Sequence, residues 1–338
     1  MTRGDKATLR LTTGLGLAVF VAYGLALQVP FVVCVMAVLV LCKPGPPMPL
    51  LKGAIAALVF AVLVAAGVLM VPLLVHYAVA GVLLTAVVLY AVFYAGLIGN
   101  SPLTTLLVIT FALIPVAGVA EQALVGVLSL SLAVGLAVGT LVSALSNALF
   151  PDPPRPTASA ASRPGQESAR WIALRGTLIV VPVFVLALTN PSFYLAAIMK
   201  TVALGQQAGE TDARAAGREL VGSTLMGALV GMLCWLGLSL WPSLWMLVLW
   251  LMAAALWTGS AMFGARRSRF RPSFWSNTLI TALILLGPAI EDSASGKSVI
   301  EGSVMRICLF VGVALYAWVT IFALERWRAR RARAFAPT

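Results

Sequence analysis

Apolar residues recur along this chain in long runs from Leu11 to Leu324, separated by short breaks rich in Gly, Pro and charge. Runs of that length predict α-helices that cross a bilayer, where every backbone N–H and C=O must be satisfied inside its own segment. Six windows fall in the first half, near 9–27, 30–43, 51–71, 76–97, 102–118 and 122–149. After the Pro-, Ser- and Ala-rich stretch "PDPPRPTASAASRPGQESAR" six more follow, near 171–189, 191–205, 217–240, 242–264, 273–289 and 300–325. The second window of each half is short enough to be a re-entrant segment. The expectation is an all-α polytopic membrane protein with twelve transmembrane helices, arranged as two parallel six-helix repeats. The repeats occupy 1–150 and 171–326, with a linker at 151–170 and a basic tail at 327–338.

Composition agrees with that class. Of 338 residues, 61% are hydrophobic and 10% charged, with mean hydropathy +1.02. The opening "LRLTTGLGLAVFVAYGLAL" reads as a first span, because no small-residue cleavage site followed by a soluble domain is present. A net charge of +12 in a soluble protein would suggest nucleic acid. Here the Arg and Lys residues cluster between spans and read as orientation charges, so no nucleic-acid partner is expected. Cys34, Cys42, Cys234 and Cys308 lie in apolar segments without metal-type spacing, which implies neither a disulfide framework nor a metal site, and no cofactor is expected.

Charge placement decides the short windows. If both cross, one side collects Arg3, Lys6, Arg10, Lys43, Lys52, Arg155, Arg163, Arg214, Arg218, the "RRSRFR" loop at 266–271 and the final "ERWRARRAR". The other side keeps mainly His76, Glu121, Glu291, Asp292, Lys297 and Glu301. The positive-inside rule then puts both termini and the linker in the cytoplasm, with short acidic loops outside. The halves also echo one another: Pro72 and Pro242, Pro102 and Pro272, and Gly67 and Gly237 are each 170 residues apart, while Pro30/Pro191 and Pro115/Pro288 are offset by 161 and 173. An even number of spans per half makes the repeats parallel, related by an axis along the membrane normal, and such axes commonly carry a pathway.

The 6+6 pattern, "RELVGSTLMGALVG" from Arg218 to Gly231, the Pro-Phe pairs "QVPFV" and "TNPSFY", and an arginine in the last span resemble the fusaric-acid-resistance and aromatic-acid-exporter superfamily. The resemblance covers essentially the whole membrane region. It implies an inner-membrane exporter of aromatic carboxylic acids or other organic compounds working with a periplasmic adaptor of the membrane-fusion type. Larger members carry a soluble cytoplasmic domain between the halves, where this chain has only Phe150 to Arg170. The resemblance extends to plant anion channels built as dimers of six-span units.

Lys200 is the most out-of-place residue. It stands about 13 Å below the outer end of its window at about 1.5 Å per residue, close to mid-membrane. A buried ammonium there marks a solvated pathway, an ion pair (Glu219 being one partner), or a structural contact with backbone carbonyls. Arg306 is a second such cation. It follows Glu301 by five residues, which places the two on different helix faces, so it meets either a departing anion or the headgroups by snorkelling. With Arg175 these form a ladder of positive charge across the second half, with Gln28, Asn100 and Thr105 as polar neighbours and Trp250 and Trp257 as candidate aromatic stacking partners. Trp241 and Trp245 read as an interfacial belt. The Gly222, Gly227 and Gly231 face, like Gly135 and Gly139, allows close helix approach.

No Walker A pattern appears in the sequence, so energy coupling turns on intramembrane carboxylates. Glu219, Glu121 and Glu301 are the candidates for proton coupling, against a bland reading as boundary or helix-start acids. His76, the only histidine, belongs to an outer loop. No nucleophile or acid/base cluster suggests an enzyme. The expected function is efflux of small aromatic or other organic anions; a passive anion channel, or a membrane anchor for an adaptor complex, are the alternatives. Membrane lipid is an expected contact and a homo-oligomer is possible.

Overall fold

The computed structural model describes residues 2–43, 50–99, 104–151, 166–210 and 213–334. All of its regular structure is helical: α1 (Arg3–Gly24), α2 (Pro30–Leu41), α3 (Leu50–Val68), α4 (Met70–His76), α5 (Ala78–Gly99), α6 (Thr104–Ala120) and α7 (Gln122–Leu149) in the first half. The second half holds α8 (Gln166–Thr189), α9 (Pro191–Glu210), the short α10 (Ala213–Ala216), a π turn (Gly217–Val221), α11 (Gly222–Leu240), α12 (Leu244–Met262), α13 (Pro272–Ala294) and α14 (Val299–Ala334). Among the described residues nine helical segments are long and apolar enough to cross a membrane. The chain is therefore a multi-pass helical protein. Three rods are not among the nine: α2 has 12 residues and α6 has 17, while Lys200, Gln206 and Gln207 dilute the hydropathy of α9.

Local chemistry explains several helix ends. Thr2 and Asp5 close a capping box on α1: the Asp5 N–H donates to Thr2 Oγ1 at 3.2 Å and the Thr2 N–H to the Asp5 carboxylate at 2.7 Å. Pro30 and Pro272 occupy first-turn positions, where a missing N–H leaves nothing unpaired. Pro72 lies in the first turn of α4, so the helix runs on to His76 where a loop was expected. The ends of two long helices also depart from expectation. α8 begins at Gln166, inside the expected linker, and α14 continues through the basic tail to Ala334.

Small residues set the tightest contacts. A Cβ on Gly135 would stand 2.9 Å from Met36 Cβ and 3.1 Å from Val33 Cα, so α7 lies nearly backbone-to-backbone on α2. On the other side of the molecule a Cβ on Gly227 would be 2.5 Å from Thr281 Cβ and 2.7 Å from the Thr278 carbonyl, which draws α11 onto α13. α13 is enclosed by α2, α9, α11, α12 and α14, while α1 lies along α12 and α5 along α8. Outward-facing Leu58, Val62, Val79, Val87, Leu249 and Val319 are exposed and give the ring an apolar exterior. Lys6 Nζ donates to the Pro151 carbonyl, Arg10 to Asn147, and Trp327 stacks on Trp171. These contacts bring the start of α1, the end of α7, the start of α8 and the end of α14 to the molecule's basic side.

Candidate functional site

Three helices each contribute polar residues to one buried stripe. On α9 Lys200 and Gln207 are seven apart, two turns on one face; on the π turn and α11 Glu219 and Ser223 are four apart; on α13 Asn277 and Thr281 are four apart. Lys200 is entirely buried, as are Thr281 and Ser223. Its Nζ donates to Asn277 Oδ1 at 3.0 Å and to Thr281 Oγ1 at 2.6 Å. Asn277 Nδ2 in turn donates to Ser223 Oγ at 2.6 Å, and the Thr281 hydroxyl donates to the Asn277 carbonyl at 2.6 Å. The lysine thus rests on two neutral oxygens. Among the described residues no carboxylate lies within 4 Å of it, so the ion pair with Glu219 is absent.

Glu219 sits at the end of the stripe nearer the basic side, 2% exposed. The Arg271 N–H hydrogen-bonds its carboxylate, and the Arg271 and Arg218 charges lie near it. Among the described residues its Oε2 has no hydrogen-bond partner. Gln207 Nε2 donates to the Glu219 carbonyl at 3.4 Å, tying α9 to the π turn at this end of the stripe. The local backbone here is a π turn, the kind of helical irregularity that recurs at functional sites. Gly217 opens it: a Cβ there would meet the Trp318 indole at 2.7 Å. An aromatic lid covers this end, with Phe270 stacked on Phe274 at 4.2 Å and the Arg218 guanidinium 5.6 Å from the Phe270 ring centroid.

The other expected site residues lie elsewhere. Arg306 Nη2 donates to Asp292 Oδ2 at 2.7 Å, joining α14 to α13 at the end away from the basic side. Arg175 pairs with Glu325 at 3.2 Å, and Trp171 Nε1 donates to the same oxygen at 3.0 Å. Each of these two cations therefore has its own acid, and only Lys200 of the expected ladder lacks one. Gln28 is exposed in the α1–α2 turn, Thr105 is half-buried at the start of α6, and Asn100 lies outside the described residues. Trp250 lies against Gly237, and Trp257 packs edge-on to Trp275 at 5.1 Å beneath Arg266. Glu121 and Glu301 are exposed at helix starts. Glu219 alone of the three acids is enclosed with the polar stripe.

Asn277, Thr281, Ser223 and Gln207 were not singled out from the sequence. The available signal was their spacing: polar pairs at four or seven residues inside otherwise apolar windows.

Comparison with known proteins bears on the first half. Residues 7–146 match a family model described as Protein of unknown function (DUF2955). That family is grouped with the fusaric-acid-resistance-like and aromatic-acid-exporter proteins. No curated protein and no solved structure matches the chain.

Proposed function

We propose that the protein exports small organic anions, aromatic carboxylates foremost, across a bacterial inner membrane from the cytoplasm. The single observation that carries this reading is Lys200: a fully buried ammonium, near the middle of its helix, held by neutral oxygens and, among the described residues, without a counter-charge. An ionised group in that environment is expensive unless an opposite charge joins it, and an anion in transit supplies one. A carboxylate arriving at Lys200 finds the remaining N–H of the ammonium beside the Asn277, Ser223 and Thr281 network. The grouping of the matched family agrees with this substrate class.

Two parallel six-helix repeats form the frame of the proposal. Packing supports it: with α3 and α4 counted as one rod and α10, the π turn and α11 as another, in each half the first rod touches the second and the sixth, and the third touches the fifth and the sixth. Across the halves α1 meets α12 as α5 meets α8, and α2 meets α13 as α6 meets α9. That exchange of first with fourth rods and second with fifth is what a twofold axis along the membrane normal produces. The stripe then stands beside the central rods α2, α6, α9 and α13. Twelve crossings follow if α2, α6 and α9 pass through the bilayer enclosed by their neighbours, which removes the need for each to be long or wholly apolar. The basic side, with both termini, is the cytoplasmic one by the positive-inside rule. Glu219 serves as the proton-coupling acid, and a periplasmic adaptor receives the substrate.

Uptake of labelled benzoate into inside-out vesicles tests the reading. The parent should accumulate it when a proton gradient is imposed. Lys200→Met, which keeps the side-chain volume, should lower the rate at least about tenfold, the equivalent of roughly 1.4 kcal/mol. Glu219→Gln should preserve benzoate exchange but remove its dependence on the gradient. Parental rates in Lys200→Met would sink the proposal.

A further inference from the structure

A groove of about 330 Å³ opens on the basic side between α5, α8 and α14, lined by Tyr90, Glu167, Arg170, Trp171, Leu174 and Arg328. We infer that it seats the phosphate headgroup of an anionic phospholipid in the leaflet on that side. Charge is the first argument. Arg170 and Arg328 are exposed, and among the described residues neither has a carboxylate within 4 Å. The lining holds two arginines against one acid, Glu167, and neighbouring Glu325 is already occupied by Arg175 and the Trp171 N–H. Arg328 instead parks its guanidinium 5.4 Å over the Trp171 ring, leaving its planar fork available for a phosphate.

Depth is the second argument. Arg328 stands 29 residues after Val299 at the start of α14, about 44 Å along the helix, which places it past a hydrocarbon core of about 30 Å and in the headgroup layer. The stacked Trp171–Trp327 pair at that level has the amphipathic character of an interfacial belt. Acyl chains have a track as well. Leu174 and Leu178, each 38% exposed and one turn apart on α8, extend the wall toward the bilayer core. A basic groove between helices on the cytoplasmic side is a recognised form of headgroup site. This groove joins α5 of the first half to α8 and α14 of the second, so a lipid in it ties the halves together.

The test uses the full-length purified protein in detergent, with thermal unfolding and native mass spectrometry as readouts. Phosphatidylglycerol should raise the Tm of the parent by several degrees more than phosphatidylcholine with the same chains. Arg170→Gln/Arg328→Gln should lose that difference and bind phosphatidylglycerol at least about fivefold more weakly. Arg267→Gln/Arg269→Gln, which removes the same charge from an exposed loop, should behave as the parent. A retained phosphatidylglycerol preference in the groove variant overturns the inference. Soluble glycerol phosphate producing the full shift by itself also overturns it, because the site would then take a free anion. Neither result depends on benzoate transport.

Discussion

α2 and α9, the second rods of the two proposed repeats, have similar packing and opposite chemistry. Each begins at a proline followed within two residues by phenylalanine, and each packs on the first and sixth rods of its half and on α13. α2 fills its place with hydrocarbon, Phe31 to Val38 all buried. α9 buries Lys200, Thr201 and Gln207 in its place. The fold therefore does not demand a polar second rod. An apolar α2 satisfies the packing requirement with no hydrogen-bond bookkeeping, so the polar residues of α9, together with Asn277 and Ser223 opposite them, answer to something other than packing. Buried ionic groups are poor devices for stability, and replacing them with hydrocarbon is often neutral or favourable.

The sharpest way to break that comparison is to remove the lysine's support. Asn277→Leu takes away one of two acceptors of a fully buried ammonium and also the link to Ser223. The expected loss is about 2–3 kcal/mol, because a charged donor is left short of a partner. Lys200→Met alone should change stability by no more than about 1 kcal/mol, and the double variant should regain most of what Asn277→Leu loses. Thermal unfolding of the four proteins in detergent measures the coupling. Strict additivity would mean that the network does not hold Lys200 as described.

How much of this site was legible before the structure depends on what each residue's partner required. Lys200 announces itself, since a cation deep in an apolar run has few bland explanations. Its partners do not, because the Lys200–Asn277 bond joins residues 77 positions apart and is fixed by the register of α9 against α13. An asparagine in an apolar window looks like a tolerated polar residue until that register is known. Glu219 was visible as an acid, but the π turn that carries it was not, since "RELVG" reads as ordinary helix and the close approach of Trp318 to Gly217 is a long-range contact. Helix positions were the most legible part, because proline, glycine and charge mark them locally. The Arg306 pairing was hidden for the opposite reason. Its acid, Asp292, lies on α13 across an interhelical turn, while the acid weighed from the sequence, Glu301, shares the arginine's own helix.

Close approach of α11 and α13 offers a second, smaller way to sharpen the contrast. Gly227 and Gly231 stand one turn apart on α11 and differ in how closely α13 approaches them. Gly227→Ala should cost about 1–3 kcal/mol, since its Cβ would meet the Thr278 carbonyl and Thr281, and backbone cannot swing aside. Gly231→Ala should cost less than about 1 kcal/mol, because its nearest neighbour would be 3.4 Å away. Equal effects at the two positions would mean that the glycines serve helix flexibility instead of the contact that aligns Ser223 with Asn277.

The smallest expected effect separates Arg306 from Lys200. Both are cations in membrane helices of the second half, but Arg306 is partly exposed and already paired with Asp292, in a space that Gly302 leaves open: a Cβ there would stand 2.9 Å from the Asp292 carboxylate. A partly exposed ion pair of this kind contributes about 1 kcal/mol or less, and salt weakens it further. Arg306→Gln should therefore lower stability by no more than that amount and leave benzoate uptake within about twofold of the parent, with the small stability difference shrinking at high ionic strength. The contrast with Lys200→Met is the informative part. If Arg306→Gln kept its Tm yet lost uptake as completely as the lysine variant, the Asp292 pair would be a resting contact that opens to pass an anion outward. The second half would then carry two charged stations on its path, with the lysine stripe the inner one.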